Sequence, residues 1–453
     1  MSRDRNQRRL RSAARALRAI DSGGDPPLAR ALAEALRAPK RDPEAADTLT
    51  HPFHAYHPRF HPAAAARLIE ELSPDSVLDP FCGSGTVLVE ALAAGVSAVG
   101  VDINPLAVRI ARAKTSAGSA PRVPPPGKPG ATPAIGGGHP RTPRVPPPGK
   151  PGATPAIGGG DPRTPRVREL ETEANRIASE ALAAARAARR SGHEPVAHRG
   201  DPRRDRALSG WFAPHVRREL ETLAAYIGSV RSRDEELGEL LELSLSAILY
   251  GVSRRTSETD SRRSDRKVAR GAASRAFRER VAVLCAGLSD LSALRGDAGV
   301  AVMCGDARKL QLPPVGQTPK PPGAVITLIP RAGATDYATQ HRLRLAFLGL
   351  DPRKFGRSQI GSRAVSAGDP RGAAERMRRD LRACLRQMAS AVQGGPIALA
   401  AADSVVARRR IAADQMIRDA AGRDLEVVAW AWQDRPKSGR DHILVLRANG
   451  RHA

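Results

Sequence analysis

The chain has 453 residues and a formal net charge of +26 at pH 7, because 73 lysines and arginines outnumber 47 acidic residues. This length allows two or three units with cores of their own, and the charge favours an anionic partner such as nucleic acid, although a coding bias toward G and C would also produce it. The four cysteines form no C-x-x-C pair and no apolar run is long enough to span a membrane, so we expect a cytoplasmic protein without a zinc site, a disulfide framework or a membrane anchor.

The first 47 residues are rich in Arg and Ala. Helical stretches are predicted at residues 9–20 and 28–36, on either side of a Gly-Gly-Asp-Pro-Pro break at residues 23–27. We expect a basic helical segment, either a small cap or an arm on nucleic acid, with the partly frayed end that is usual for a terminus.

Histidines, prolines and aromatic residues alternate at residues 51–62 and lead into a helix predicted at residues 63–72. Four histidines so close together suggest a metal site. Against it, the prolines hold the backbone extended and no cysteine or carboxylate cluster joins the histidines.

The fold is organised around Asp79-Pro-Phe-Cys-Gly-Ser-Gly-Thr86, between an apolar strand and a helix predicted at residues 87–94. Gly83 and Gly85 allow positive φ and close approach of a ligand, and the free N–H groups of the helix's first turn face whatever lies above the loop. The next predicted strand ends in Asp102, where dinucleotide-binding folds hold ribose hydroxyls. These features predict a nucleotide-type cofactor site.

The same residues resemble the S-adenosylmethionine (SAM)-dependent amino-methyltransferases that modify exocyclic amines in DNA, and their relatives that act on tRNA guanine. The resemblance begins at His57–Pro62, passes through the glycine loop and Gly100–Pro105, and ends at Lys114 and Thr115. It implies an α/β fold, the Rossmann-like class I methyltransferase with a seven-stranded doubly wound sheet, whose first part covers residues 48–118. It also implies SAM as the cofactor. The residues implied in SAM binding are Asp79, Pro80, Phe81, Gly83, Ser84, Gly85, Thr86, Asp102, Asn104 and Asp306.

In the resembled family the stretch before the glycine loop packs against the methionine end of SAM and the loop lies under it. By position, Asp102 would bind the ribose. Asp306 would contact the adenine side, although a helix-capping role is an alternative for this residue.

Residues 122–143 and 144–165 are a direct tandem repeat rich in Pro and Gly, with a single Ile in each unit. Such a composition cannot bury a core, so a disordered, partly polyproline-like loop is predicted over residues 119–166. A sequence duplication without function is favoured over a docking element.

Helical periodicity returns and defines a helical insertion at residues 167–297, between the second and third strands of the fold. This insertion is a candidate module for nucleic-acid recognition. A Ser/Thr/Arg-rich stretch within it offers guanidinium and hydroxyl groups to phosphates, although the same composition also describes a flexible surface loop. The predicted helices are residues 167–190, 214–230, 234–250 and 272–294. The candidate phosphate ligands are Arg254, Arg255, Arg262, Arg263, Arg266 and Lys267.

The second part of the methyltransferase fold is predicted at residues 298–453, with a helix at residues 406–421. Together with the two strands before the insertion, its strands make seven. These later strands are predicted at residues 299–303, 323–328, 396–402, 425–432 and 442–447.

The resembled enzymes carry Ser/Asp/Asn-Pro-Pro-Tyr/Phe at the end of the fourth strand. The first side chain and a backbone carbonyl accept the hydrogens of the target amine, and the aromatic ring stacks on a flipped base. This chain has Leu328-Ile329-Pro330-Arg331 at that position, so both the acceptor and the aromatic ring are replaced. The residues that follow, beginning with Asp336 and Tyr337, still resemble the family, so the register is retained.

Three interpretations of this altered motif stay open. The protein is catalytically weak or dead, or the sequence contains a local error, or the enzyme uses replacements. In the last case Thr327 or Asp336 would be the acceptor, Tyr337 or Arg331 the stacking group, and the Ile329 carbonyl would be retained.

As a function, the resemblance implies methyl transfer from SAM to an exocyclic amine of cytosine or adenine in DNA. The alternatives are a tRNA guanine-N2 methyltransferase and a catalytically inactive nucleic-acid-binding protein of the same fold.

Overall fold

The computed structural model describes residues 20–56, 60–118, 164–191, 208, 210–255, 266–314, 320–333, 336–363, 366, 372–406, 408–435 and 439–449. Several predictions fall outside these residues: almost all of the helix at residues 9–20, the loop at residues 119–166 apart from its last three residues, and the positions of Arg262 and Arg263.

An eight-stranded sheet forms the centre of the fold, in the spatial order β1-β9-β10-β6-β5-β2-β3-β4. The five strands from β6 to β4 pair in parallel, and β10, β9 and β1 continue the sheet with antiparallel pairs. The strands are β1 (Ile20–Gly24), β2 (Ser76–Asp79), β3 (Ser97–Asp102), β4 (Val300–Cys304), β5 (Ala324–Leu328), β6 (Ile397–Ala402), β9 (Leu425–Asp434) and β10 (Arg440–Ala448), and a separate hairpin contains β7 (Ser404–Val406) and β8 (Arg409–Ile411).

Helices cover both faces of the sheet and also form the insertion between β3 and β4. The helices are α1 (Pro26–Arg41), α2 (Pro62–Leu72), α3 (Thr86–Ala93), α4 (Pro105–Lys114), α5 (Pro165–Ser191), α6 (Pro214–Arg231), α7 (Glu235–Ile248), α8 (Ala272–Leu294), α9 (Tyr337–Gln340), α10 (Arg342–Phe347), α11 (Arg353–Gly356), α12 (Ala373–Val392) and α13 (Ala413–Ala421). Among the residues described, no helix has both the length and the apolar character needed to cross a membrane.

The core lies on the two faces of the sheet. Apolar residues of α1, α2 and α3 pack on one face, and those of α12 and α13 pack on the other. Strands β2 and β3 are buried on both faces, which explains why they read as continuous apolar runs in the sequence. A doubly wound, mostly parallel sheet of this kind agrees with the predicted α/β class.

The sheet has one strand more than the seven predicted. The extra strand is β1, which pairs with β9 at residues where a Gly-Pro break was expected. Its two glycines allow close packing: a Cβ at Gly23 would lie 2.7 Å from the Trp430 ring, and one at Gly24 would lie 2.3 Å from the Val428 carbonyl oxygen. No apolar alternation marks this strand, because two of its five residues have no side chain.

The helix predicted at residues 406–421 is also corrected, because α13 begins only at Ala413 and the preceding residues form the β7–β8 hairpin. The carboxylate of Asp403 organises this hairpin. It accepts hydrogen bonds from the Ala413 N–H (2.9 Å) and the Arg440 N–H (2.9 Å), and it pairs with the guanidinium of Arg410. The Arg440 bond comes from a strand well beyond the hairpin in the chain, so local helix propensity does not decide the structure here.

The inserted helices α5 to α8 share one apolar cluster with α4, and charged groups add further contacts between them and the rest of the fold. Arg109 of α4 pairs with Glu239 (3.1 Å) and Glu242 (2.6 Å) of α7. Arg280 of α8 donates to the Pro52 carbonyl at 2.6 Å, in the segment before the glycine loop. The insertion therefore contacts the same elements that position the glycine loop.

Candidate functional site

A cleft with a volume of about 240 Å³ opens at the carboxyl ends of the parallel strands. It lies where β2 and β5 are neighbours, which is the point at which the strand order reverses. Ligands of open α/β sheets bind outside such a switch point, because the loops that leave the two strands diverge there.

Nine of the ten predicted SAM-binding residues line this cleft. They are Asp79, Pro80, Phe81, Gly83, Ser84, Thr86, Asp102, Asn104 and Asp306.

The two glycines of the loop have different surroundings, although both have positive φ, +50° at Gly83 and +80° at Gly85. Gly83 lines the cleft, and a Cβ there would lie 3.4 Å from the ring of Tyr56. Gly85 precedes α3 and does not line the cleft as described; a Cβ there would lie 3.0 Å from the Ala111 Cβ of α4. The lack of a side chain at Gly85 therefore allows α3 to pack closely on α4.

The carboxylate of Asp102 is held by the glycine loop and by the start of α4. Its Oδ2 accepts from the Gly83 N–H at 2.9 Å, and its Oδ1 accepts from the Asn104 N–H at 2.8 Å. Burial raises the pKa of Asp102 to about 6. Because each carboxylate oxygen has a second lone pair, Asp102 can still accept two hydrogen bonds from a ligand diol.

The Asp79 side chain links the carboxyl end of β2 to the neighbouring strand β5 through a hydrogen bond. Its Oδ1 accepts from the Thr327 hydroxyl at 2.5 Å and from the Phe81 N–H at 3.1 Å. Burial raises the pKa of Asp79 to about 7, against the effect of the Thr327 hydrogen bond. Thr327 is fully buried and is not one of the described residues that line the cleft. Asp336, the other suggested acceptor, caps α9 through the Thr339 N–H and does not line it either.

Asn104 and Asp306 line the cleft with side chains that are already engaged. Asn104 Oδ1 accepts from the Leu106 N–H (3.0 Å) at the start of α4, and its Nδ2 donates to the Tyr56 hydroxyl (3.1 Å). The Asp306 carboxylate accepts from the backbone N–H and the guanidinium of Arg308. Burial acts to raise the pKa of Asp306, but the Arg308 bonds lower it on balance. Asp306 therefore caps the helical turn Ala307–Lys309, which is the alternative role that the sequence suggested for this residue.

Stacked aromatic rings form one wall of the cleft. The Tyr56 ring lies 5.5 Å from that of Tyr337 and 4.6 Å from that of His341, with interplanar angles of 13° and 16°. Tyr56 was not among the predicted site residues. The one signal in the sequence was its place in the His/Pro/aromatic run, and only the tertiary structure brings it against Tyr337.

The altered motif Leu328-Ile329-Pro330-Arg331 lines the cleft in full. Arg331 is partly buried, and among the residues that the structure describes its guanidinium has no hydrogen bond or ion pair. Burial and the charge of Arg435 lower the pKa of Arg331. Arg435 and Asp441, an ion pair with 3.3 Å between Nε and Oδ1, line the cleft beside it. Sequence reasoning missed both, since they lie more than 100 residues after the motif.

The histidines described in the run at residues 51–62 have protein partners. His51 Nε2 lies 2.6 Å from Glu90 Oε1, and His54 Nε2 lies 3.3 Å from the Ser246 hydroxyl. Both rings are buried. These contacts support a packing role for the run.

One group in the described part of the chain has metal-ligand spacing: Asp403, Asp414 and His442, with ligand atoms within 4.8 Å of one another. Asp403 already accepts from Arg410, from two backbone N–H groups and from the His442 ring. These bonds at the base of the β7–β8 hairpin position Asp403 and His442.

The candidate phosphate ligands that the structure describes lie in two separate parts of the insertion. Arg255 lies over the buried ring of Trp211, with 4.0 Å between Cζ and the ring centroid, and the Arg254 N–H donates to the Trp211 carbonyl at 2.7 Å. Arg266 and Lys267 are exposed and border a second cavity beside α7 and α8.

The fold is that of an α/β protein of the doubly wound type, with a cleft at the switch point of its sheet. Residues 36–113 match the family model of the DNA methylases. Among curated proteins, the Type II methyltransferase M.MvaI of Kocuria varians is 44% identical over 73 residues, which is 15% of this chain and 16% of the relative. No solved structure matches the chain.

The resemblance to the DNA amino-methyltransferase family is therefore confirmed on the segment that contains the glycine loop and Asp102. The aligned part of the chain spans only 16% of the length of its curated relative. The family match ends at residue 113, so the altered motif at residues 328–331 lies beyond it.

Proposed function

We propose that the protein transfers the methyl group of SAM to an exocyclic amine of cytosine or adenine in DNA. The observation that supports this most is that nine predicted SAM-binding residues and the whole altered motif line one cleft. The family match over residues 36–113 supports the same chemistry.

The cleft fits SAM in two respects. Gly83 keeps the loop surface open beneath a ligand, since it has no side chain, and Asp102 keeps acceptor capacity for two ribose hydroxyls. When bound, SAM supplies a methyl group whose bond to sulfur breaks as the amine nitrogen attacks, with the electron pair left on sulfur. Asp102 would hold the ribose, and the loop from Asp79 to Thr86 would lie under the methionine part.

The base would enter from the side of the altered motif. Tyr337, whose ring is supported by Tyr56, is the candidate for stacking on a flipped base. The Ile329 carbonyl is the candidate for one hydrogen of the amine. Leu328 can accept no hydrogen bond, which is the observation that favours the second candidate function, a nucleic-acid-binding protein without activity.

We place recognition of the DNA backbone in the inserted helices, through Arg254, Arg255, Arg266 and Lys267. The net charge of +26 supports an anionic partner. Domain boundaries at residues 47, 118, 166 and 297 are part of the same proposal.

The test is transfer of a labelled methyl group from SAM to unmethylated DNA and, in parallel, to unmodified tRNA, with SAM binding measured by calorimetry. We expect label in DNA alone. Label in tRNA alone would establish the tRNA alternative. No label in either, with SAM bound, would refute the enzymatic proposal and leave the binding protein.

A further inference from the structure

One of the carboxylates that line the cleft lies on the side of the altered motif and is held by a single arginine among the described residues. Among the residues described, four carboxylates line the cleft. Asp79 accepts a hydrogen bond from Thr327, and Asp102 accepts one from the glycine loop. Asp306 accepts from Arg308. The fourth is Asp441, whose side chain has a single partner among the described residues, Arg435, at 3.3 Å.

Strand register brings Asp441 to the edge of the sheet where the altered motif lies. Asp441 of β10 is opposite Ala402 of β6, and Leu328 of β5 is opposite Ala400 of β6. The Ile329 N–H donates to the Ala400 carbonyl at 3.0 Å, so the carboxyl ends of β5 and β6 and the start of the antiparallel β10 meet at this edge. Two strand spacings, about 10 Å, separate the backbones of β10 and β5 across β6, and Asp441 and the motif both line the cleft at this edge.

Among the described residues no group accepts a hydrogen bond from the Arg331 guanidinium, which lines the same cleft. A charged group that is partly buried without a partner costs free energy, and a ligand acceptor that pairs with it offsets this cost. A guanidinium donates only, in a planar fork, and an ionised carboxylate accepts only. Together the two groups complement a base edge that presents an amine beside a ring acceptor.

We propose that Asp441 and Arg331 replace the missing motif, with the Asp441 carboxylate accepting a hydrogen of the target amine and the Arg331 guanidinium donating to the neighbouring ring acceptor. This inference rests on the proposed function. The acceptor localises the lone pair of the amine nitrogen, which forms the new nitrogen–carbon bond. The methylated nitrogen then carries one proton too many, and this proton moves to a carboxylate oxygen of Asp441 and from there to water.

The surroundings of Asp441 suit a group that takes up a proton. The charged and titratable groups that face it are Arg435, Arg331, His442 and Asp403. Burial raises the pKa of Asp441 above its ordinary value, although the nearby arginines act to lower it. The carboxylate is consequently a stronger base than an exposed one.

The experiment compares Asp441→Asn and Asp441→Ala with the natural protein in the methyl-transfer assay on DNA. Asp434→Asn is the matched control, because Asp434 also pairs with an arginine, Arg440 at 3.2 Å, on the neighbouring strand but does not line the cleft as described. We expect kcat to fall about 100-fold in Asp441→Ala, as for loss of a general base. SAM affinity should stay unchanged in every variant, and the control should keep full activity.

The pH profile separates this role from a structural one. In the natural protein kcat should fall on the acid side as Asp441 takes up a proton, and this limb should be absent from whatever activity Asp441→Asn retains. A structural role for Asp441 in holding Arg435 would lower activity without removing the limb. Full activity with the acid limb intact in Asp441→Asn would overturn the inference alone, whereas no methyl transfer by the natural protein would overturn the proposed function and this inference with it.

Discussion

Replacing Asp102 by Ala should weaken SAM binding at least tenfold, because it removes the group that we assign to the ribose. Two backbone donors lose their acceptor in the same change, the N–H groups of Gly83 (2.9 Å) and Asn104 (2.8 Å). A hydrogen bond to a charged group contributes about 1.5–3 kcal/mol, so the loss of one ribose contact is enough for this change in affinity. Tenfold weaker binding corresponds to about 1.4 kcal/mol.

The assay is calorimetric titration of SAM into the natural protein, Asp102→Ala and Asp102→Asn. Asp75→Ala is the control, since the Asp75 side chain is 90% exposed and follows α2 outside the cleft. Circular dichroism of each variant shows whether the fold is retained. Folded Asp102→Ala with SAM affinity within twofold of the natural protein would refute the assignment of Asp102 to the ribose.

A pH series sharpens the same prediction. Burial raises the pKa of Asp102 to about 6, so the carboxylate is charged at pH 7.5 and mostly protonated at pH 5. The charged form is the better acceptor for ribose hydroxyls, and SAM affinity should therefore fall as the pH is lowered through about 6. Asp102→Asn should lack this dependence; an equal fall in that variant would show that another group is responsible.

Three further predictions test the fold and the nucleic-acid surface. Glu219→Ala should lower the free energy of unfolding in denaturant by about 2–4 kcal/mol, because the buried Glu219 accepts from both the N–H (2.7 Å) and the hydroxyl (2.6 Å) of Ser274; an unchanged midpoint would contradict this. Gly100→Val should lower Tm, since a Cβ there would lie 2.5 Å from Leu88 Cδ1, and overpacking costs about 1–3 kcal/mol. Arg266→Gln should reduce the slope of log affinity for DNA against log salt by about 0.9 if it contacts one phosphate; the same slope would remove it from the interface.

The residues of the glycine loop could be recognised from the sequence because their roles depend on local geometry. A strand, two glycines with positive φ and a helix start lie within ten residues, and Asp102 ends the next strand. The structure places these residues together in the cleft, but it separates the two glycines. Gly85 packs against Ala111, a neighbour that only the docking of α3 on α4 provides.

Long-range pairing decided what the sequence could not show. Gly23 leaves room for the Trp430 ring where β1 pairs with β9. At the base of the β7–β8 hairpin, Asp403 accepts hydrogen bonds from β10 and from the start of α13. Trp430 is far from Gly23 in the chain and Arg440 is far from the hairpin, so local propensity predicted a break and a helix instead.

The sequence by itself predicted the half of the cleft that we assign to the cofactor: an apolar strand, a glycine loop, a helix and an acid at the end of the second strand, all within about 25 residues and governed by local backbone sterics and hydrogen bonding. It also showed that the motif at Leu328 to Arg331 lacks its acceptor. Only the tertiary structure decided what faces that motif, because Asp441 and Arg435 reach the cleft through the register of three strands. Register depends on pairing between distant segments, and no local pattern contains it.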